Sequence, residues 1–112
     1  MKLDARQTGD VSVLSVRSPR IDAASAIRFK DLVRENTTRS GARVLLDLQE
    51  VDFIDSSGLG AIVAVMKLLA PSKRLELCSL APMVSKVFSL TRMDQVFVIH
   101  ESVEDGCSVA KG

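Results

Sequence analysis

The sequence predicts an α/β fold, a mixed β-sheet of four to five strands covered by helices in the order β-β-α-β-α-β-α-β(-α). Three observations carry that prediction. The run Val11-Ser12-Val13-Leu14-Ser15-Val16 alternates with the two-residue period of a strand. Ala26, Phe29, Leu32 and Val33 recur at helical spacing. Strand-like and helix-like stretches then alternate along the chain, which implies parallel pairing through crossover connections. At 112 residues the chain, 1–112, fits one domain with one core.

Leu3-Asp4-Ala5-Arg6 alternates too, and Gly9-Asp10 marks a turn before the next run, so a β-hairpin opens the domain. Ser18-Pro19-Arg20 breaks the strand pattern. The first helix follows, with Asp22 as its N-cap and Ser40-Gly41 as its stop, while Arg28, Lys30, Asp31, Arg34 and Glu35 occupy its polar faces. Val44 to Leu48 reads as a strand buried on both faces. Helix-starting chemistry comes next at Asp55 to Gly58, and that helix runs to about Ala70, where Pro71 ends it.

Leu75-Glu76-Leu77-Cys78 is a further short strand. Pro82 suits the first turn of a helix that carries Met83, Val84, Val87, Phe88 and Leu90. Val96-Phe97-Val98-Ile99 is the last strand. The tail, Glu101 to Gly112, is interrupted by Gly106, so a short helix with a frayed end is expected.

Apolar residues make up 46% and charged residues 26%, the balance of a soluble globular protein. Fifteen basic and 14 acidic side chains leave a formal charge of +1, and Trp and Tyr are absent. Nucleic acid is therefore not an expected partner. The longest apolar run, Leu59 to Leu69, is broken by Lys67 and falls short of the ~20 residues of a membrane span. Direct membrane insertion is not expected. Met1 to Asp10 lacks a secretory h-region, so the expected compartment is the cytoplasm. Cys78 and Cys107 have neither metal-ligand spacing nor the pattern of a disulfide framework. They read as reduced thiols, and no metal or cofactor is expected.

The most informative segment is Asp55-Ser56-Ser57-Gly58-Leu59-Gly60. It places hydroxyls and glycines where a helix begins, and free N–H groups there attract anions. The simplest reading is capping: Ser56 as N-cap contributes ~1 kcal/mol, with Gly58 merely tolerated. A second glycine, Gly60, weakens a helix by up to ~1 kcal/mol relative to alanine, so close backbone approach or a flat surface is wanted. In helical projection Leu59, Ile62, Val63, Met66 and Leu69 join Ala61, Val65 and Leu68 in an apolar arc of about 220°, against the ~100° a surface helix needs. Gly60, Ala64 and Lys67 fill the remaining side and are expected at a docking surface.

An enzymatic serine is the rival reading. The hydrolase elbow requires Gly-x-Ser-x-Gly, but Ile54 and Asp55 stand two residues before Ser56 and Ser57. His100 follows Ser56 and Asp94 in a hydrolase-like order, yet a lone histidine after a strand reads as a solvated loop residue. The Gly-Lys-Ser/Thr ending of a P-loop is missing.

The segment Val44 to Leu48 followed by Phe53-Ile54-Asp55-Ser56-Ser57-Gly58-Leu59-Gly60 resembles the signature of STAS domains, specifically bacterial anti-sigma factor antagonists. Arg20-Ile21-Asp22-Ala23 after the hairpin and Val87-Phe88-Ser89-Leu90-Thr91 before Val96-Phe97 extend the resemblance over nearly the whole chain. Two features depart from the family pattern. Arg20 with Ile21 replaces a glycine-containing approach to Asp22, and the C-terminal helix is short and glycine-broken.

The resemblance implies a non-catalytic regulator in which Ser56 is the phosphoacceptor, with Ser57 as the fallback. It further implies a partner that is both anti-sigma factor and serine kinase, a metal-dependent serine phosphatase that reverses the modification, and a supporting role for Asp22 in recognition or phosphorylation. Asp55, Ser57, Gly58, Gly60, Ala64 and Lys67 complete the expected partner-binding set. A binding subunit of the same fold without a phosphorylation cycle, as in a membrane lipid-transport complex, is the alternative. A serine-reactive fluorophosphonate is expected to leave Ser56 unlabelled; stoichiometric labelling of that residue would mark a hydrolase instead.

Overall fold

The computed structural model describes residues 1–108. Strands β1 (Lys2–Thr8) and β2 (Val11–Arg17) form the expected hairpin, which turns through Gly9 at φ +62. With β4 (Arg43–Asp47), β6 (Arg74–Cys78) and β7 (Ile99–His100) they build one sheet in the order β1-β2-β4-β6-β7. Only β1 runs antiparallel; β2, β4, β6 and β7 pair in parallel. A separate two-stranded parallel ladder joins β3 (Arg20–Ile21) to β5 (Phe53–Ile54). Two-residue strands are too short to show any period, so neither was anticipated.

Helices α1 (Ala26–Glu35), α2 (Ser56–Leu69) and α3 (Pro82–Leu90) pack on one face of the sheet. Leu14, Val16, Val44, Leu46, Leu75 and Leu77 point to that face and meet Phe29, Ile62, Val65, Val84 and Phe88 from the helices. The strand alternation puts Val11, Val13, Leu45 and Cys78 on the other face, where α4 (Val103–Ser108) lays Val103 and Cys107 over them. The two cysteines, distant in sequence, thus share one apolar cluster as free thiols, and burial pushes the Cys78 thiol up to about 11. Gly106 does not break α4. It is buried within it, because a Cβ there would lie 2.6 Å from Leu45 Cδ2. The expected fraying of the tail falls on 109–112, outside the described residues.

Several element ends differ from the sequence reading. Asp22 is not the N-cap of α1. Ser25 holds that place and makes no side-chain cap bond, because its Oγ accepts from Asp22 N and donates to Asp22 Oδ1, each at 3.1 Å. The helix also stops at Glu35, ahead of Ser40-Gly41. Asn36 Nδ2 and Thr37 Oγ1 take the carbonyls of Leu32 and Val33, both at 2.8 Å, and so close the last turn early. Val96-Phe97-Val98 is not strand: a 3-10 turn over Met93–Gln95 leads into it, and Phe97 turns inward to meet the Phe88 ring edge-on at 5.9 Å.

His100 is a strand residue, with its side chain only 10% exposed, and not a solvated loop residue. Its Nε2 lies 2.8 Å from Oε1 of Glu76, a carboxylate buried under α4. Arg43 and Arg74 bond to the same carboxylate, and Arg43 also donates to the Gly106 carbonyl at 2.9 Å. One buried anion therefore ties β4, β6, β7 and α4 together. Burial raises the Glu76 pKa, but hydrogen bonds from Arg43, His100 and Arg74 outweigh it and hold the group at about 2.

A depressed carboxylate pKa stabilises the fold above the unfolded-state value and loses that contribution as pH falls toward the folded-state value. The advantage of native protein over Glu76→Gln should accordingly be complete near pH 6 and shrink as pH drops from about 4.5 toward 2. At neutral pH the substitution should cost about 3 kcal/mol, since Arg43 keeps its burial and loses its counter-charge. Urea melts of the two proteins across that pH range measure both.

Candidate functional site

The candidate site lies where β5 ends and α2 begins. Asp55 is extended there, at φ −105 and ψ −175, and its Oδ1 accepts from Gly58 N at 2.8 Å. Asp55 is therefore the N-cap, and the expectation that Ser56 caps the helix is corrected: Ser56 is the first helical residue. Both residue types cap well, so the local sequence does not choose between them. A tertiary contact does. Asp55 Oδ2 accepts from Ala23 N at 3.2 Å, in the turn before α1, a bond that a serine in the Ser56 position does not make. One carboxylate thus fastens the starts of two helices.

Gly58 is required, not tolerated. A Cβ on it would stand 1.9 Å from the Ile21 carbonyl oxygen and 2.7 Å from the carbon. That carbonyl also accepts from Asp55 N at 3.4 Å, so β3 lies directly against the first turn of α2. Pro19 O accepts from both Asp52 N at 2.8 Å and Phe53 N at 3.1 Å, completing the join. With α2 pinned in this way, Ser56 and Ser57 face solvent. Neither hydroxyl has a hydrogen-bond partner among the described residues. Helix geometry leaves their N–H groups without intrahelical acceptors, and the dipole adds partial positive charge at that end. The arrangement offers a free hydroxyl in a setting that favours an added anion.

Asp22 stands beside this turn. Its Oδ2 accepts from Arg20 Nε at 3.0 Å and its Oδ1 from Ser25 N at 3.2 Å. The Arg20 hydrogen bond, helped by Ser25, holds the Asp22 carboxyl below its usual range. Arg20 is also stacked on Phe53, with its guanidinium carbon 4.4 Å from the ring centroid. Sequence reading missed this pair, since only the unforeseen β3–β5 register sets Arg20 opposite Phe53.

Along α2, Gly58, Ala61, Ile62, Val65 and Leu69 are buried, so the wide apolar arc is only partly used by the core. Of the three residues assigned to the free side, Gly60 and Lys67 are exposed. Ala64 is half-buried, in a groove of about 300 Å³ between α1 and α2 that Ile27, Asp31 and Leu68 also line. Leu68 is 54% exposed and extends the accessible strip. A Cβ on Gly60 would meet nothing within 4 Å, so flatness distinguishes this position and not close approach within the chain. His100 is committed to Glu76 on the sheet face opposite the one that carries α2, so it is not placed to serve Ser56. Among the described residues no group of three potential metal ligands occurs, and no helix is long and apolar enough to cross a membrane.

The STAS family model matches residues 2–106, and the chain belongs to that family. It is 30% identical over 80 residues to the anti-sigma-B factor antagonist of Listeria monocytogenes, covering 70% of each. The crystal structure of an anti-sigma factor antagonist from Mycobacterium paratuberculosis matches with a TM-score of 0.87 at 22% identity, over 99% of this chain and 94% of that one. The murine anion transporter Slc26a9 matches with a TM-score of 0.82 at 19% identity, over 95% of this chain and 18% of the transporter. The same fold thus occurs inside a much longer chain.

The two glycines of the site make opposite predictions. Gly58→Ala should lower stability by about 3 kcal/mol, because the obstacle is backbone and β3 or α2 must shift. Gly60→Ala should raise it by up to ~1 kcal/mol, since the helix gains propensity and nothing is struck. Thermal melts of the two variants decide.

Proposed function

We propose that this protein is an anti-sigma factor antagonist, a non-catalytic regulator that exchanges partners when Ser56 is phosphorylated. In the unmodified state it binds an anti-sigma factor that is also a serine kinase, and so frees the sigma factor. Phosphorylation of Ser56 by that kinase breaks the complex, and a serine phosphatase restores it. The single observation that carries the reading is the exposed, unbonded Ser56 hydroxyl on the first turn of a helix capped by another residue. The Listeria relative supports the choice of target.

The physics of the site explains how one phosphate acts without altering the fold. The group adds ~1.5 to 2 negative charges and three acceptor oxygens. At the N-terminus of α2 the dipole offsets this charge by ~0.3–1 kcal/mol, so the isolated domain keeps its structure. A partner seated on Ser56 and the strip of Gly60, Ala64 and Lys67 faces a different situation. It must desolvate a dianion that lies beside the Asp55 and Asp22 carboxylates. Without a matching cation that cost reaches several kcal/mol, enough to weaken binding about a thousandfold. Release is electrostatic.

Incubation with the cognate kinase and ATP, followed by mass mapping, should place one phosphate on Ser56. The phosphoprotein should lose about a thousandfold in affinity for the anti-sigma factor, and Ser56→Asp part of that, while both melt close to the native temperature. Persistent absence of phosphate from Ser56 and Ser57 would favour a binding subunit without a phosphorylation cycle. Loss of binding accompanied by a large melting shift would overturn release by electrostatics.

A further inference from the structure

We propose that Arg20 is a preset anchor for a carboxylate of the anti-sigma factor and so helps to decide which partner this protein accepts. The inference rests on the proposed function and names a residue outside the turn that carries Ser56. Strand alternation in the β3–β5 ladder turns Ile21 and Ile54 inward and Arg20 and Phe53 outward. Phe53 is 38% exposed, and the Arg20 guanidinium lies over its ring at 4.4 Å. Arg20 Nε donates to Asp22 Oδ2 at 3.0 Å. Its two terminal nitrogens have no hydrogen-bond partner among the described residues, and its side chain is 58% exposed.

The guanidinium is therefore fixed on one edge and one face while its outer fork stays free. A planar fork of N–H donors matches a carboxylate in two parallel bonds, which an ammonium does not reproduce. Because stacking and the Asp22 bond already restrain the side chain, little rotamer freedom remains to be lost on binding. Arginine and aromatic residues at the centre of an interface carry a large share of binding energy. The position is continuous with the candidate surface: Arg20 is followed by Ile21, whose carbonyl abuts Gly58, and by Asp22. Arg20 is the cation held by Asp22 beside the start of α2, so it marks a place where an acidic partner group can fall.

The test is the affinity of the unphosphorylated protein for its cognate anti-sigma factor, compared for native, Arg20→Lys, Arg20→Glu and Phe53→Leu chains. Arg20→Glu should weaken binding roughly 30-fold or more, with Arg20→Lys and Phe53→Leu intermediate. Melting temperatures and the extent of Ser56 phosphorylation by an excess of kinase should stay near native values. An aspartate or glutamate of the partner changed to arginine should restore binding to Arg20→Glu while weakening binding to the native chain. Native affinity in Arg20→Glu overturns the proposal and leaves the proposed function standing. Native affinity before modification with a loss confined to the extent of Ser56 phosphorylation also overturns it, since Arg20 would then serve the phosphate. Failure of the native chain to bind any candidate anti-sigma factor overturns the proposed function, and this inference with it.

Discussion

The close approach of the Ile21 carbonyl to the backbone of Gly58 governs the geometry around the candidate site. A polar main-chain atom is pressed against the first turn of a helix with no room for a methyl group between them. This contact fixes how far α2 can slide along its axis and how it is rotated. The Asp55 carboxylate completes the constraint by bonding on one side to Gly58 N and on the other to Ala23 N. Everything else at this edge follows: the outward direction of Ser56, the nearness of Asp22, and the strip of α2 that stays uncovered. A flexible loop at this place would present the same residues without a defined surface.

The sheet divides the molecule into two electrostatic settings. On the face with α1, α2 and α3 the core is a large cluster of buried apolar side chains. On the face with α4 a buried carboxylate, Glu76, collects two arginines and a histidine. Charge at the candidate site is exposed, whereas the Glu76 carboxylate under α4 is buried and holds strands together. This separation lets one end of the domain gain or lose anions without disturbing the ion cluster that ties the strands together.

How much of this could be read from the sequence depends on the distance over which each decision is made. The long periodic elements, β2, α2 and α3, were legible because their patterns repeat within a few residues. The ladder of β3 and β5 was not, since two residues carry no period and each strand exists only because of the other. Choosing between Asp55 and Ser56 as cap needed the amide of Ala23. The requirement for Gly58 needed the carbonyl of Ile21. His100 looked solvated because its partner, Glu76, lies on another strand. The Asp-Ser-Ser-Gly turn draws attention through its residue types, while atoms that shape it lie far away in the chain, at Ile21 and Ala23.

The rigid joint at Gly58 and Asp55 also bears on time. A protein that signals by changing shape holds its state behind a conformational barrier, and heat alone can let the state decay. Under the proposed cycle this domain has no second shape to relax from, so its state is held in a phosphoester bond. The lifetime of the signal is then set by the rate of enzymatic hydrolysis, and the domain itself acts as a memory that does not drift.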